Sequence, residues 1–349
     1  MSRVALLNSR RTPTLGPGWT VDIGDHVSAL AWSPDKRLLA AAALGGPVYL
    51  LDATDGRCVA TLPGHEFGTA AVGWRPGQTV LATGGQDGKV RLWSAPEGKC
   101  LAELTAGADW VECLAWSMDG GVLATGAGRK LRLWTPDGDL LRECSPHAST
   151  VTDIVWHPTR QQLATACYGG VSFWQPERTD PIRQFAWKGS LLSLAWSPNG
   201  KLLASGNQDS SVHFWFVADG EDLHMGGYAV KVRELAWSAD SRLLATGGSV
   251  DVVIWDCSKR AGPANTRPSE LQYHGALIAQ LAFQRKGDLL ASGCAAGAIA
   301  IWKPREAQAP LGAARLSGAI SQLTWSPDGA RVAAATSEGM VGMFEAPAT

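Results

Sequence analysis

The chain has 349 residues, with 31 Lys and Arg against 32 Asp and Glu, a formal net charge of -1 and only 18% charged residues. That balance lacks the basic field that nucleic-acid binding requires, and no apolar run approaches the roughly 18–20 residues of a membrane-spanning helix. Seven cysteines without a CxxC pair favour free thiols in a reducing compartment, so a soluble, cytoplasmic protein is expected. Met1–Arg11 holds too short an apolar stretch for a secretory signal.

From the N-terminus, the first strand signal is Gly18-Trp19-Thr20-Val21-Asp22-Ile23. After it a unit begins that recurs to the end of the chain. An aromatic residue closes an apolar run at Trp32, Trp74, Trp116, Trp156, Trp196, Trp237, Phe283 and Trp325, at steps of 42, 42, 40, 40, 41, 46 and 42 residues. A second marker follows each, at Leu51, Trp93, Trp134, Trp174, Trp215, Trp255, Trp302 and Phe344. A fixed period of this size means one supersecondary unit copied along the chain.

The second copy shows the unit most clearly. Ala71-Val72-Gly73-Trp74 reads as a short apolar strand ended by the turn Arg75-Pro76-Gly77, and Val80–Gly84 as a second strand. Gln86-Asp87-Gly88 is a tight hairpin turn. Lys89–Trp93 alternates polar and apolar residues as a half-buried strand does, and Cys100–Leu104 is a fourth strand. Four antiparallel strands in about forty residues, repeated, describe a propeller blade.

These residues resemble the WD-repeat (WD40) β-propeller family over nearly the whole chain. The family places a Gly-His before the first strand, a Ser or Thr in the second, an Asp in the hairpin and a Trp in the third. His65, Thr83, Asp87 and Trp93 stand at those positions here, although the namesake Trp-Asp pair survives only as Trp255-Asp256. A buried indole N–H needs an acceptor, which the hydroxyl supplies, and His and Asp extend the hydrogen-bond chain. The hydroxyl position reads Ala41, Thr83, Thr125, Thr165, Ser205, Thr246, Ser292 and Ala334. It is empty only in the two copies whose third strand lacks Trp, which predicts a direct Thr/Ser–Trp bond in the other six.

The fold expected is therefore all-β: an eight-bladed β-propeller of four-stranded antiparallel blades, spanning 1–349 as one domain. The repeats run approximately over 26–64, 65–106, 107–146, 147–186, 187–227, 228–273, 274–315 and 316–344. The last copy has three strands, so the N-terminal strand 18–23 is expected to complete it and hide both edges.

Repeat position accounts for most Trp and His residues. Trp19, Trp110 and Trp187 fall outside it: Trp19 reads as a staple in the closing strand, and Trp187 and Tyr228 occupy the Gly-His histidine position of their copies. Cys58 and Cys100, at equivalent positions, read as buried apolar thiols. Counting back from the markers gives Trp110, Lys231 and Arg233, and the hairpin tips beside them include Arg129 and Tyr168; the resemblance implies that these positions face the wider rim, over copies three to six, where they form an aromatic and basic set typical of interface anchors. The inner-strand carboxylates Glu112, Asp153 and Glu234 are spread over three copies. Cys144 and His147 have a ligand-like spacing with no second pair, so no metal or other cofactor is expected. The 46-residue step inserts Lys259–Pro268, basic and rich in Pro and Gly, between the outer strands of copy six; it reads as a solvated, mobile loop, or else as a side-rim contact for an acidic partner. The expected function is a non-catalytic, monomeric scaffold that binds one or more proteins through that rim. The alternative is an enzyme or small-ligand binder using the central channel.

Overall fold

The computed structural model describes residues 12–107 and 109–347; Met1–Arg11, considered above as a leader, lies outside them. In the second copy the strands are Thr69–Trp74, Val80–Gly85, Lys89–Ser94 and Cys100–Thr105, paired in order and antiparallel. The second strand is buried, the third alternates buried with partly exposed residues, and the outer one is mostly exposed. This is why the second strand reads as an apolar run and the third alternates, while the fourth carries Glu103 and Thr105. The inner strands of successive copies pack side by side around an axis, and Ile320–Trp325 returns to lie beside Val27–Trp32.

The count of separate blades differs from the expected eight. The strands form seven hydrogen-bonded sheets: six of four strands and one of six, ordered Asp153–Trp156, Leu163–Trp174, Arg183–Trp196, Leu202–Asn207, Val212–Phe216, Asp222–Met225. Counted as continuous sheets, the propeller has seven blades, not eight, because copies four and five share one. The cause is local. Tyr168-Gly169-Gly170 replaces the tight Asp-Gly hairpin and stays in register with the next segment, Gly170 opposite Ala186 and Gly169 opposite Trp187. Both glycines have positive φ, 103° and 131°. Trp187 stands where other copies make their Gly-His turn, so Arg183–Trp196 runs on as one strand.

The ends of the chain meet in one sheet. Pro17–Asp22 pairs antiparallel with Met340–Glu345, placing Trp19 opposite Met343 and Val21 opposite Val341. Trp19 is buried, and its indole donates to the Ala53 carbonyl at 3.2 Å. The marker indoles staple neighbouring copies in a regular way: Trp74 donates to Ala31 O (3.0 Å), Trp116 to Gly73 O (3.2 Å), Trp156 to Ala115 O (2.9 Å) and Trp325 to Ala282 O (2.9 Å). Each acceptor directly precedes the preceding copy's own marker. At the seam the Trp32 indole N–H has no such partner. There Arg331 lies over the Trp32 ring at 5.2 Å and donates to Ala53 O, while Gln322 reaches Ser28 O at 2.8 Å.

Cys58 and Cys100 are exposed rather than buried. They begin outer strands, which have no further strand to cover them. The insertion Lys259–Pro268 is a compact series of turns, Gly262 N to Lys259 O at 2.9 Å and Thr266 N to Pro263 O at 3.1 Å. Gly262 and Pro263 are buried, Gly262 against Phe214 and Phe216. Lys259, Arg260, Asn265 and Arg267 remain exposed, as in a solvated loop.

Candidate functional site

In copy two the hydrogen-bond chain is complete. Trp93 Nε1 donates to Thr83 Oγ1 at 2.9 Å, Thr83 Oγ1 lies 2.8 Å from His65 Nε2, and His65 Nδ1 lies 2.8 Å from Asp87 Oδ1. Burial lowers the His65 pKa and so favours the neutral ring, the form that accepts from Thr83 while donating to Asp87. Arg91 completes the group by pairing with Asp87 at 3.0 Å.

The other copies keep only part of it. Direct indole–hydroxyl bonds join Trp134 to Thr125 and Trp174 to Thr165, both at 2.9 Å, and Trp302 to Ser292 at 2.7 Å. In copy six the Tyr228 hydroxyl is inserted: Trp255 Nε1 donates to it at 2.9 Å, and it sits 2.9 Å from Thr246 Oγ1. In copy five Ser205 turns to Asn207 at 2.9 Å, and the Trp187 ring packs on His213 with centroids 4.0 Å apart. The expectation of a direct bond in six copies is thus corrected to copies two, three, four and seven. The two departures are the copies in which an aromatic replaced the histidine.

The loops entering the inner strands and the hairpins between the second and third strands lie at one end of the ring, joined by bonds such as Gln86 N to Gly68 O (3.0 Å) and Ala295 N to Leu277 O (2.9 Å). On this face Trp110 is 53% and Tyr168 51% exposed. Arg129 Nε donates to His147 O at 2.6 Å, and Ser149 Oγ accepts from Tyr168 N at 3.0 Å, so residues 147–149 bridge Arg129 and Tyr168. Beside Tyr168 opens a cleft of ≈ 260 Å³ lined by His147, Cys167, Trp174 and Phe185. Lys231 and Arg233 are exposed two copies further on, and no contact joins them to Tyr168. Arg233 instead lies close enough to Asp153 to favour its charged form.

The rim has more apolar surface than the sequence suggests. Phe67 is 80% exposed, the largest value among the exposed apolar side chains of the described residues. It holds a left-handed backbone with φ 64°, a conformation costly for a bulky side chain. Leu44, Val230, Val250, Tyr273 and Leu277 are also exposed at this end. Phe67 was missed because counting back from Trp74 samples Gly68 and Ala70 and steps over it. An aromatic just before a rim glycine is the signal that could have found it.

Around the channel, polar inner-strand side chains hold the edge of the next copy. Ser28 donates to Thr69 O (2.6 Å), Thr152 to Leu191 O (2.7 Å), Gln280 to Ser321 O (2.8 Å) and Ser321 to Val27 O (2.8 Å). Asp153 accepts from Leu194 N at 2.7 Å and Ile154 N at 2.8 Å, and burial pushes its pKa up to about 6. Burial likewise raises that of Glu234. Among the described residues no group of three or more His, Cys, Asp and Glu is placed to hold a metal ion.

The model of the WD domain, G-beta repeat, matches residues 56–94, 98–135, 138–175 and 180–215. Each match begins near an outer strand and ends at the third-strand Trp of the next copy. Four matched repeats and the propeller fold are together consistent with a WD-repeat family. The crystal structure of a computationally designed protein, Ika8, is similar in fold, with a TM-score of 0.80, 95% of this chain and 99% of that chain covered, and 20% identity. As a WD-repeat propeller the chain is, in general terms, a protein-interaction scaffold, and such propellers are typically non-catalytic.

Proposed function

We propose that this scaffold binds a partner protein on the face of the hairpins and inner-strand entry loops, over copies three to six. The observation that carries the reading is the half-exposure of Trp110 and Tyr168 on one face, since exposed aromatics on a rigid support make anchors at low entropic cost. Arg129, Lys231 and Arg233 would supply charge contacts, and the cleft beside Tyr168 could receive a partner side chain. An acidic or aromatic segment fits this chemistry.

Chemistry in the channel has less support, because both Asp153 oxygens are engaged by main-chain N–H groups. We further propose a monomer in a reducing compartment such as the cytoplasm, with no nucleic-acid partner, in keeping with its free cysteines and near-neutral charge. Cell fractionation checks the location. Trp110→Ala combined with Arg233→Glu should abolish capture of interacting proteins without lowering the melting temperature. Capture by the variant at the wild-type level would refute the rim assignment.

A further inference from the structure

The opposite face carries a second cleft, of ≈ 510 Å³, between copies six and seven. Three arginines line it from three separate segments. Arg242 comes from the start of a second strand, Arg267 from the Lys259–Pro268 insertion, and Arg305 from the loop after Trp302 in the next copy. Ser258 and Ser269 add hydroxyls at its edge.

The arrangement is built rather than incidental. Asp240 Oδ2 holds Arg305 at 2.6 Å and lies 3.9 Å from Arg242 Nε, drawing the two together. Arg267 makes no ion pair among the described residues, and its loop is folded into turns with Gly262 beside Phe214 and Phe216. Asp256 also lines the cleft, and its carboxylate accepts from Ser258 N at 2.9 Å. Hydrogen bonds from Ser258, with the charges of Lys259 and Arg305, keep its pKa below the ordinary value, so it stays ionised. Of the residues that line the cleft, three arginines accompany one carboxylate, Asp256, leaving two positive charges in the lining, while Asp240 holds Arg305 and Arg242 from beside it.

A phosphate monoester matches that surplus, with about two negative charges near neutral pH, and guanidinium forks suit its oxygens. The cleft falls in the roughly 300–1,000 Å³ range of ligand pockets, well beyond what one anion fills. Leu243, Ile254 and Pro304 give it an apolar wall. We propose that this cleft binds a phosphorylated side chain carried on a segment of a partner protein, the phosphoryl group between Arg242, Arg267 and Arg305 and a neighbouring apolar residue on Leu243 and Pro304. The site is separate from the rim that binds through Trp110.

The test is fluorescence anisotropy with a labelled peptide holding one phosphoserine between leucines, its unphosphorylated twin, and free O-phosphoserine as competitor. The phosphopeptide should bind at least tenfold tighter than the twin, and free phosphoserine should compete at least tenfold more weakly than unlabelled phosphopeptide. Arg242→Ala with Arg267→Ala, both on exposed side chains, should weaken binding at least tenfold with an unchanged melting temperature. Trp110→Ala should leave binding intact. Equal affinity for the twin, or for the double arginine variant, would overturn the proposal. So would free phosphoserine competing as well as the peptide, because the cleft would then serve a small anion. Loss of binding in Trp110→Ala alone would place the peptide on the rim, overturning this inference while leaving the rim assignment standing.

Discussion

The junction between the chain ends can be tested by removing Trp19. Its indole is 9% exposed and sits in a core with Trp32, Leu39, Leu51, Val341 and Met343. Much of the remaining wall is Ala53, Ala333 and Ala335, too small to close over a lost indole. Trp19→Ala should therefore cost at the upper end of the buried-aromatic range, about 4–5 kcal/mol, part of it from the bond to Ala53 O. With an unfolding entropy of about 2.1 cal/mol/K per residue, that is a melting-temperature drop of roughly 5–7 °C for a chain of this length. A second variant isolates the contact. A Cβ on Gly56 would lie 2.6 Å from the Trp19 ring, at φ +77°. Gly56→Ala should cost about 2–4 kcal/mol in the wild type, from clash plus left-handed strain, but only about 1–2 kcal/mol in the Trp19→Ala background, where strain alone remains. Calorimetry on the four proteins completes the cycle, with the exposed Trp110→Ala as a control within about 0.5 kcal/mol of wild type. Equal costs of Gly56→Ala in both backgrounds, or a Trp19→Ala melting temperature at the wild-type value, would refute the reasoning.

Asp153 gives a pH-dependent prediction. Its folded pKa of about 6 lies above the ordinary 3.8, so the folded state binds more protons between those values, and stability falls as pH rises through that window. Asp153→Asn keeps an acceptor for Leu194 N without the buried charge, and should stabilise by about 2–3 kcal/mol at pH 8 and by little at pH 3.5; urea melts showing no such pH dependence would refute the assignment. Thr83→Val removes the acceptor of Trp93 Nε1 and the partner of His65 Nε2, at a cost of about 2–4 kcal/mol. Adding Trp93→Phe should recover part of that loss, as copies one and eight, with neither group, suggest; strict additivity in thermal melts would count against it. Tyr228→Phe should cost about 1–3 kcal/mol by separating Trp255 from Thr246, and a neutral result in the same assay would mean that the hydroxyl is not a relay.

What the sequence made legible was whatever the repeat imposes on every copy. Thr69–Trp74 to Cys100–Thr105 lie within a residue or two of their expected bounds, and the closing strand was visible because the last copy lacked one. The shared sheet of copies four and five was not legible, because the period is unchanged whether a connection is a loop or a strand. That choice depends on Gly169, Gly170 and Trp187 together, read across a hairpin and the next entry loop. The exposure of Cys58 and Cys100 was missed for a related reason: a position repeated in two copies shows equivalence, not depth. Of the candidate rim residues, Trp110 and Tyr168 are exposed because they stand at an entry loop and a hairpin tip, outside the strand pairings that bury Trp19. The convergence of Arg242, Arg267 and Arg305 could not be read, since it needs one insertion and two copies in space.

Closure also has a kinetic consequence. The pairing of Pro17–Asp22 with Met340–Glu345 joins the two ends of the chain, whereas every other sheet is built from strands adjacent in sequence. Loop-closure entropy rises with the length of chain enclosed, so the local sheets should form before the ends meet. Contacts absent from the transition state affect unfolding rather than folding. Trp19→Ala should then accelerate unfolding by nearly its whole equilibrium effect, about a thousandfold for 4–5 kcal/mol, and slow refolding less than about threefold. Stopped-flow denaturant jumps measure both limbs. If refolding slowed by most of the lost stability instead, the seam would belong to the nucleus, and the ring would form from its ends inward rather than close on them last.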